Sequence, residues 1–328
     1  MKLYEYLTRY GREAGSRLFY RDDEGSLTYG EALGEARRWA DFLTAQGAKR
    51  KVAAFRGDNP KDQLLFFLGA EMAGARPVLI HEYLKERDLA GLFAKRPIDI
   101  FFSDRDYPTL SMKQEGHFYI RDLGAHGGGA GDFGVLTSGS SGLPKVLFRR
   151  DESWSDFFSL QNTIFEVGPT SGLFVQGSLA FTGNLNMVMG FLSAGASIHL
   201  SRRLLPRTWM KRIAEEAVTH VYMIPSKLSP LSKSRGQAEG LAYIHGVPAH
   251  DGGPVLPAHG PFPEGPGNPV LRGVGTFLRI LHRRKGYPRK SGRRGPPLPG
   301  DRRVYQGRGN PGGYALRGGG HRAALHLP

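Results

Sequence analysis

Up to Ile244 the spacing of apolar residues switches repeatedly between a helical period and short unbroken runs. Leu3–Glu13 and Tyr29–Gln46 carry apolar side chains at helical spacing, and Thr28, after Ser26-Leu27, stands where an N-cap opens the second helix. A short strand pattern at Lys51–Phe55 precedes a helix at Lys61–Ala75 and apolar runs at Pro77–Ile80 and Ile98–Phe102. The alternation then resumes. A strand at Gly134–Leu136 leads into a glycine-rich loop, a helix near Trp154–Phe165 and a strand at Leu173–Val175. A helix at Leu185–Ala194, a strand at Ser197–Leu200, a helix at Thr208–Ala217 and a strand at His220–Ile224 complete the series. Strand and helix in regular turn predict an α/β fold with largely parallel sheets.

Beyond Ile244 the pattern dissolves. Gly and Pro punctuate nearly every short window, and arginine pairs recur at Arg283-Arg284, Arg293-Arg294 and Arg302-Arg303. Such a segment buries too little apolar surface to offset the entropy of ordering it, so residues 247–328 are expected to be irregular and disordered.

Composition sharpens this division. The chain has a net charge of +15, which would ordinarily suggest a nucleic-acid partner. Yet from Gly246 onward 14 Lys+Arg face only 3 Asp+Glu, while the rest of the chain is close to balanced. The front half is therefore an ordinary globular composition, and no specific nucleic-acid partner is expected. A basic arm binding nucleic acid or an anionic surface is the alternative reading, weakened by how thinly aromatics such as Phe277, Tyr287, Tyr305 and Tyr314 are spread through the tail. The absence of cysteine excludes disulfides, thiolate metal sites and thiol nucleophiles. The segment beginning Met1-Lys2-Leu3 lacks the apolar run of a secretory signal. Leu173–Leu200 is interrupted by Gln176, Asn184, Asn186 and His199, a poor membrane span. These features predict a soluble, cytoplasmic protein; no pattern speaks to its oligomeric state.

One stretch carries chemistry. Thr137-Ser138-Gly139-Ser140-Ser141-Gly142-Leu143-Pro144-Lys145 follows the strand-like Phe133-Gly134-Val135-Leu136. Glycines let backbone amides wrap closely around phosphate oxygens, hydroxyls add donors, and Lys145 supplies a neutralising cation. The Walker spacing is absent, as is any Gly-x-Gly-x-x-Gly before a helix. His81, His117 and His220 show no ligand spacing and are read as solvent-facing or satisfied. Trp154 and Phe157-Phe158 are read as helix packing, and Arg149-Arg150 with Asp151-Glu152 as a solvated face.

These nine residues resemble the signature of the adenylate-forming superfamily, Thr-Ser-Gly-Ser/Thr-Thr-Gly-x-Pro-Lys, with Ser141 in place of the common Thr. That superfamily includes acyl-CoA synthetases, peptide-synthetase adenylation domains and luciferases. Three weaker likenesses follow in family order. Ser178–Leu185 resembles the acid-pocket motif, with Phe181 at its aromatic position. Phe191–Gly195 resembles a helix end closed by glycine, and Thr219–Pro225 a strand running from Thr to Pro. Together they cover residues 1–246. The resemblance implies two stacked, mostly parallel sheets flanked by helices. It also implies that Thr137, Ser138, Gly139, Ser140, Ser141, Gly142 and Lys145 bind ATP phosphates and that Phe181 lines the pocket for a small carboxylic acid, fatty or aryl. ATP, Mg²⁺ and CoA are the implied cofactors of an AMP-forming acid–CoA ligase.

The family's downstream features, a Tyr-Gly-x-Ser/Thr-Glu motif, a ribose-binding Asp and a C-terminal domain with a catalytic Lys, have no counterpart after Gly246. The genetic code offers a reason. Arg272–His282 can be encoded so that another frame reads YGASELSFVSYI, which contains the missing motif. In the same frame Val247–Gly252, Ser291–Asp301 and Gly318–Leu327 permit SQLMTE, PGAVGRPFPGI and EVGTVRLYIS. An extra nucleotide near the Gly246–Val247 codons is therefore expected to have shifted the frame, leaving a truncated and inactive ligase.

Overall fold

Three short strands explain why the sequence reads as unbroken apolar runs. In the computed structural model β3 (Val52–Arg56) lies in parallel register between β4 (Arg76–Leu79) and β5 (Ile100–Ser103). Every residue of β3 is buried, because Ala53 and Phe55 join one core while Val52 and Ala54 join another on the opposite face. A hairpin, β6 (Lys113–Glu115) and β7 (Phe118–Asp122), extends this sheet antiparallel to β5. On the other side β8 (Phe133–Thr137) runs parallel to β4 and is followed by antiparallel β9 (Lys145–Arg149).

The second sheet repeats the plan. Parallel β10 (Gly172–Gln176), β11 (Ser197–Ser201) and β12 (His220–Tyr222) form its centre. The antiparallel pair β1 (Leu18–Arg21) and β2 (Ser26–Thr28) closes one margin, with β1 parallel to β11. At the other margin lie β13 (Leu241–Gly246), β14 (Val270–Arg272) and β15 (Phe277–His282), the last antiparallel to β12. The structure describes residues 1–125, 130–137, 143–203, 205–223, 241–246, 270–272 and 277–282. All belong to one unit, Met1–Arg283.

Helices fill the space between the sheets. A single core unites Phe55 and Phe102 of the first sheet with Val175 and Leu200 of the second. Between them it takes in residues of α1 (Leu3–Glu13), α2 (Tyr29–Ala45), α3 (Pro60–Met72), α5 (Glu152–Phe165) and α6 (Thr182–Ser193). The outer faces are covered singly. Leu89, Leu92 and Phe93 of α4 (Glu86–Lys95) close the first sheet, and Trp209 of α7 (Pro206–Glu215) packs on Phe174 of the second, ring centroids 5.6 Å apart. Five layers result. Because α3 has neighbours all round, Leu64–Ala70 are buried without a polar stripe. Thr28 caps α2 as expected: its hydroxyl accepts from the Glu31 amide at 3.2 Å, and the Glu31 carboxylate accepts from the Thr28 amide at 2.7 Å.

Several expectations need revision. Parallel pairing holds at the centre of each sheet and again between β13 and β14, while β1–β2, β6–β7 and β8–β9 at the other margins are hairpins, which reverse the chain and so pair antiparallel. Two strands, β14 and β15, lie inside the stretch expected to be irregular. Phe277-Leu278-Arg279-Ile280-Leu281 is a β-compatible run long enough to pair at a margin, hidden among glycines and prolines. The other tail residues fall outside the described set. Asp151 is no part of a solvated face. Its side chain is wholly buried, 3.1 Å from the Lys2 ammonium and beside Glu71, whose carboxylate accepts from the Tyr4 amide at 3.0 Å. Phe157-Phe158 divides: Phe158 enters the core near Trp154, whereas Phe157 is half exposed. Buried His220 is satisfied, with Nε2 2.9 Å from the Phe165 carbonyl. Among the described residues no helix is long and apolar enough to cross a membrane.

Two buried carboxylate clusters set opposite pH limits. Burial works to raise the pKa of Glu216, but His199 Nδ1 at 3.0 Å and Arg212 Nε at 2.9 Å outweigh it and pull the group down to about 2. Its stabilisation is complete above the unfolded carboxylate range and is lost as pH falls toward 2. Glu71 goes the other way: burial, then the charge of Asp151, hold it well above its ordinary value, and burial also raises Asp151. That pair stabilises in the protonated state and loses its contribution as pH rises through the elevated pKa. Urea unfolding across pH should therefore show maximal stability on the mildly acidic side. Glu71→Gln should flatten the decline toward alkaline pH, and Glu216→Gln the decline toward acid.

Candidate active site

Parallel pairing of β4 with β8 brings two distant stretches to one edge. Val78 is the partner of Gly134, so three residues further on His81 and Thr137 both emerge at the C-terminal end of the sheet. In open α/β sheets this is the edge where ligands bind. The fit depends on a missing side chain: a Cβ at Gly134 would lie 2.8 Å from methyl carbons of both Val78 and Val146.

Thr137 is the cross-strand partner of Lys145, which opens β9, and both are exposed. A hydroxyl and an ammonium thus stand at the base of the glycine-rich loop. Its far limb is tied down by α4. Arg96 Nε donates to the Pro144 carbonyl at 2.8 Å, and Leu143 Cδ1 lies 3.2 Å from where a Cβ on Gly91 would sit. Ser138, Gly139, Ser140, Ser141 and Gly142 lie outside the described residues.

Phe181 belongs to the turn between β10 and α6. Its ring is 46 % exposed and meets His81 edge-on at 4.0 Å, while His81 stacks on Tyr83 at 4.3 Å. His81, unremarkable by ligand spacing, is therefore a neighbour of the expected acid-pocket residue. The signal that marks it is its place just after a parallel strand, not its spacing from other histidines. Asn184 in the first turn of α6 donates to the Ser178 carbonyl at 2.9 Å and to that of Gln176 at 3.3 Å, holding the turn. Gly183 lets Tyr222 approach; a Cβ there would collide with its hydroxyl. Gly195, after α6, has φ +70° and ends the helix in the left-handed conformation glycine tolerates. Thr219 accepts from the Gly172 amide at 3.0 Å, locking β12 to β10; Pro225 is outside the described residues.

Beside the Phe181 turn opens a cleft of about 310 Å³ lined by Asp58, Glu82, Arg105, Ser178, Arg202 and Arg203, among others. Arg105 pairs with Asp58, and Arg202 lies 3.8 Å from the same carboxylate and 3.4 Å from Glu24. The sequence gives no periodic hint of this cleft, because its residues come from loops after five different strands. Among the described residues no three His, Asp or Glu side chains converge as a metal site.

The fold, as distinct from the site, has parallels among solved structures. The fold is that of the N-terminal domain of AMP-binding acyl-CoA synthetases, over about 70 % of the chain. The inhibitor-bound N-terminal domain of FACL13 from Mycobacterium tuberculosis superposes with a TM-score of 0.62 at 20% identity, covering 72% of this chain and 66% of that one. In sequence the chain is 20% identical over 253 residues to the putative long chain fatty acid-CoA ligase VraA of Staphylococcus epidermidis, spanning 74% of this chain and 52% of that protein. It is 35% identical over 101 residues, 30% of its length, to the chondramide synthase cmdD of Chondromyces crocatus, of which this is 3%. No protein-family model matches the chain. It spans about half the length of the staphylococcal relative and a small part of the myxobacterial one.

Gly134→Ala tests the constraint at this edge. Overpacking against two valines should cost about 1–3 kcal/mol in urea unfolding, and trimming Val146 to Ala in the same chain should recover part of it.

Proposed function

We propose that the chain provides the ATP-binding half of an AMP-forming acid–CoA ligase. The observation that carries this reading is that Thr137, paired with Lys145, and His81 leave neighbouring strands at the C-terminal edge of the first sheet, where His81 meets Phe181 from the turn after β10 of the second. A hydroxyl and a cation at the base of a glycine-rich loop suit the triphosphate of ATP, and a half-exposed aromatic ring suits the apolar part of an acid. The carboxylate attacks the α-phosphorus, the bond to the β,γ-pyrophosphate breaks, and acyl-AMP forms. The CoA thiolate then attacks the acyl carbon and AMP departs. Lys145 stabilises charge that grows on the phosphate oxygens in the first step. Arg105, Arg202 and Arg203 in the adjoining cleft supply positive charge for the phosphates of CoA.

The absence of the downstream family motifs after Gly246 fits an insertion near the Gly246–Val247 codons, and the gene sequence tests it directly. Codons that forbid the alternative frame would end that idea; a repaired frame should restore full turnover.

Two substitutions test the site. Lys145→Ala should weaken ATP binding by roughly 10- to 100-fold, as expected for losing a charged donor to phosphate. Phe181→Ala, made in the frame-repaired chain, should raise the half-saturating acid concentration in acid-dependent pyrophosphate exchange without changing ATP binding. Folded protein that ignores millimolar ATP, with Lys145→Ala behaving identically, would overturn the proposal.

A further inference from the structure

Gln63 occupies a position where the helix otherwise places leucine and phenylalanine. It lies in the first turn of α3, is 1% exposed, and is followed by the buried run Leu64–Ala70. An amide there is costly unless every polar atom finds a partner. Here each does. Nε2 donates to the Gly57 carbonyl at 2.6 Å, and Oε1 accepts from the Leu179 amide at 2.7 Å and from the Ser178 hydroxyl at 3.1 Å. Gly57 follows β3 of the first sheet; Ser178 and Leu179 follow β10 of the second. One side chain therefore joins the C-terminal edges of the two sheets, two residues before Phe181. On its other side the same turn is held by Asn184.

The chemistry of this bridge is selective. It needs an acceptor facing one sheet and a donor facing the other. Leucine offers neither, and an ionised glutamate offers only acceptors, one of them aimed at the Gly57 carbonyl. Packing alone would favour an apolar residue at this depth.

We propose that Gln63 is a positioning residue for the acid site: it sets the pose of the Gly177–Phe181 turn, and through it the ring against which the acid binds. The assignment rests on the ligase reading for the word acid, but the control of the turn stands on geometry alone. The nucleotide loop is flanked by other strands, β8 and β9, and among the described residues Gln63 makes its hydrogen bonds to Gly57, Ser178 and Leu179.

Two readouts on the full chain test it with Gln63→Leu and Gln63→Glu. Hydrogen exchange should show protection across 177–182 falling about tenfold in both variants, the size expected for one buried hydrogen bond lost, with α2 and β3 unchanged. In pyrophosphate exchange the KM for the acid should rise about tenfold while the KM for ATP stays constant, a split that general loosening of the fold would not give. Should Gln63→Leu fail to fold, Ser178→Ala removes one partner of the same oxygen and should loosen 177–182 alone. Unchanged protection in that segment, or equal rises in both KM values, would overturn the proposal. Wild-type protein that neither binds ATP nor exchanges pyrophosphate on any acid would instead sink the ligase reading, whereas lost exchange with ATP binding intact is the mark of the truncation alone; in either case hydrogen exchange decides the role of Gln63.

Discussion

Between Val78 and Val146 there is room for a backbone and nothing more. Gly134 fills that space, and the rest of the site follows from it. With β8 seated against β4, Thr137 emerges level with His81 and pairs across the strands with Lys145, which opens β9. A side chain at 134 would push β8 away from one valine or the other and separate the elements that the site combines. The glycine is needed here for closeness, not for an unusual dihedral angle.

Around this contact the protein keeps polar groups in its interior and pairs several of them across elements. Glu71, Asp151 and Lys2 tie the start of α1 to α3 and α5. His199 and Arg212 share Glu216 and fasten α7 beneath the second sheet. Gln63 joins the two sheets at the functional edge. Each group joins segments far apart in sequence. An apolar core tolerates small slides between layers, whereas a buried hydrogen bond has a distance and a direction, so these contacts fix the register of the layers.

Much of the order of elements was legible because burial imprints a period. The helix at Leu3–Glu13 and the capped helix from Tyr29 match the structure closely, as do the central strands of both sheets. Besides the margin strands of the second sheet (β1, β2 and β13–β15), the elements without a counterpart in the expectations are α4, β9 and the β6–β7 hairpin. The last two are short and only partly buried, so they carry little periodic signal. Asp151 was misjudged for a different reason. A charged residue among charged residues looks solvated, and only the arrival of Lys2 and Glu71 from other segments makes its burial tolerable.

By itself the sequence determined the alternating α/β order, the composition of the phosphate-type loop from Thr137 to Lys145, and the change in character after Ile244. Those properties are local: periodicity, glycine content and hydroxyl spacing act over a few residues. Tertiary structure alone decided that His81 would stand against Phe181, that arginines from separate loops would line one cleft, and that a glutamine would bridge two sheets. These depend on which strands lie side by side. That choice comes from the summed packing of five layers, and no single stretch of residues records it.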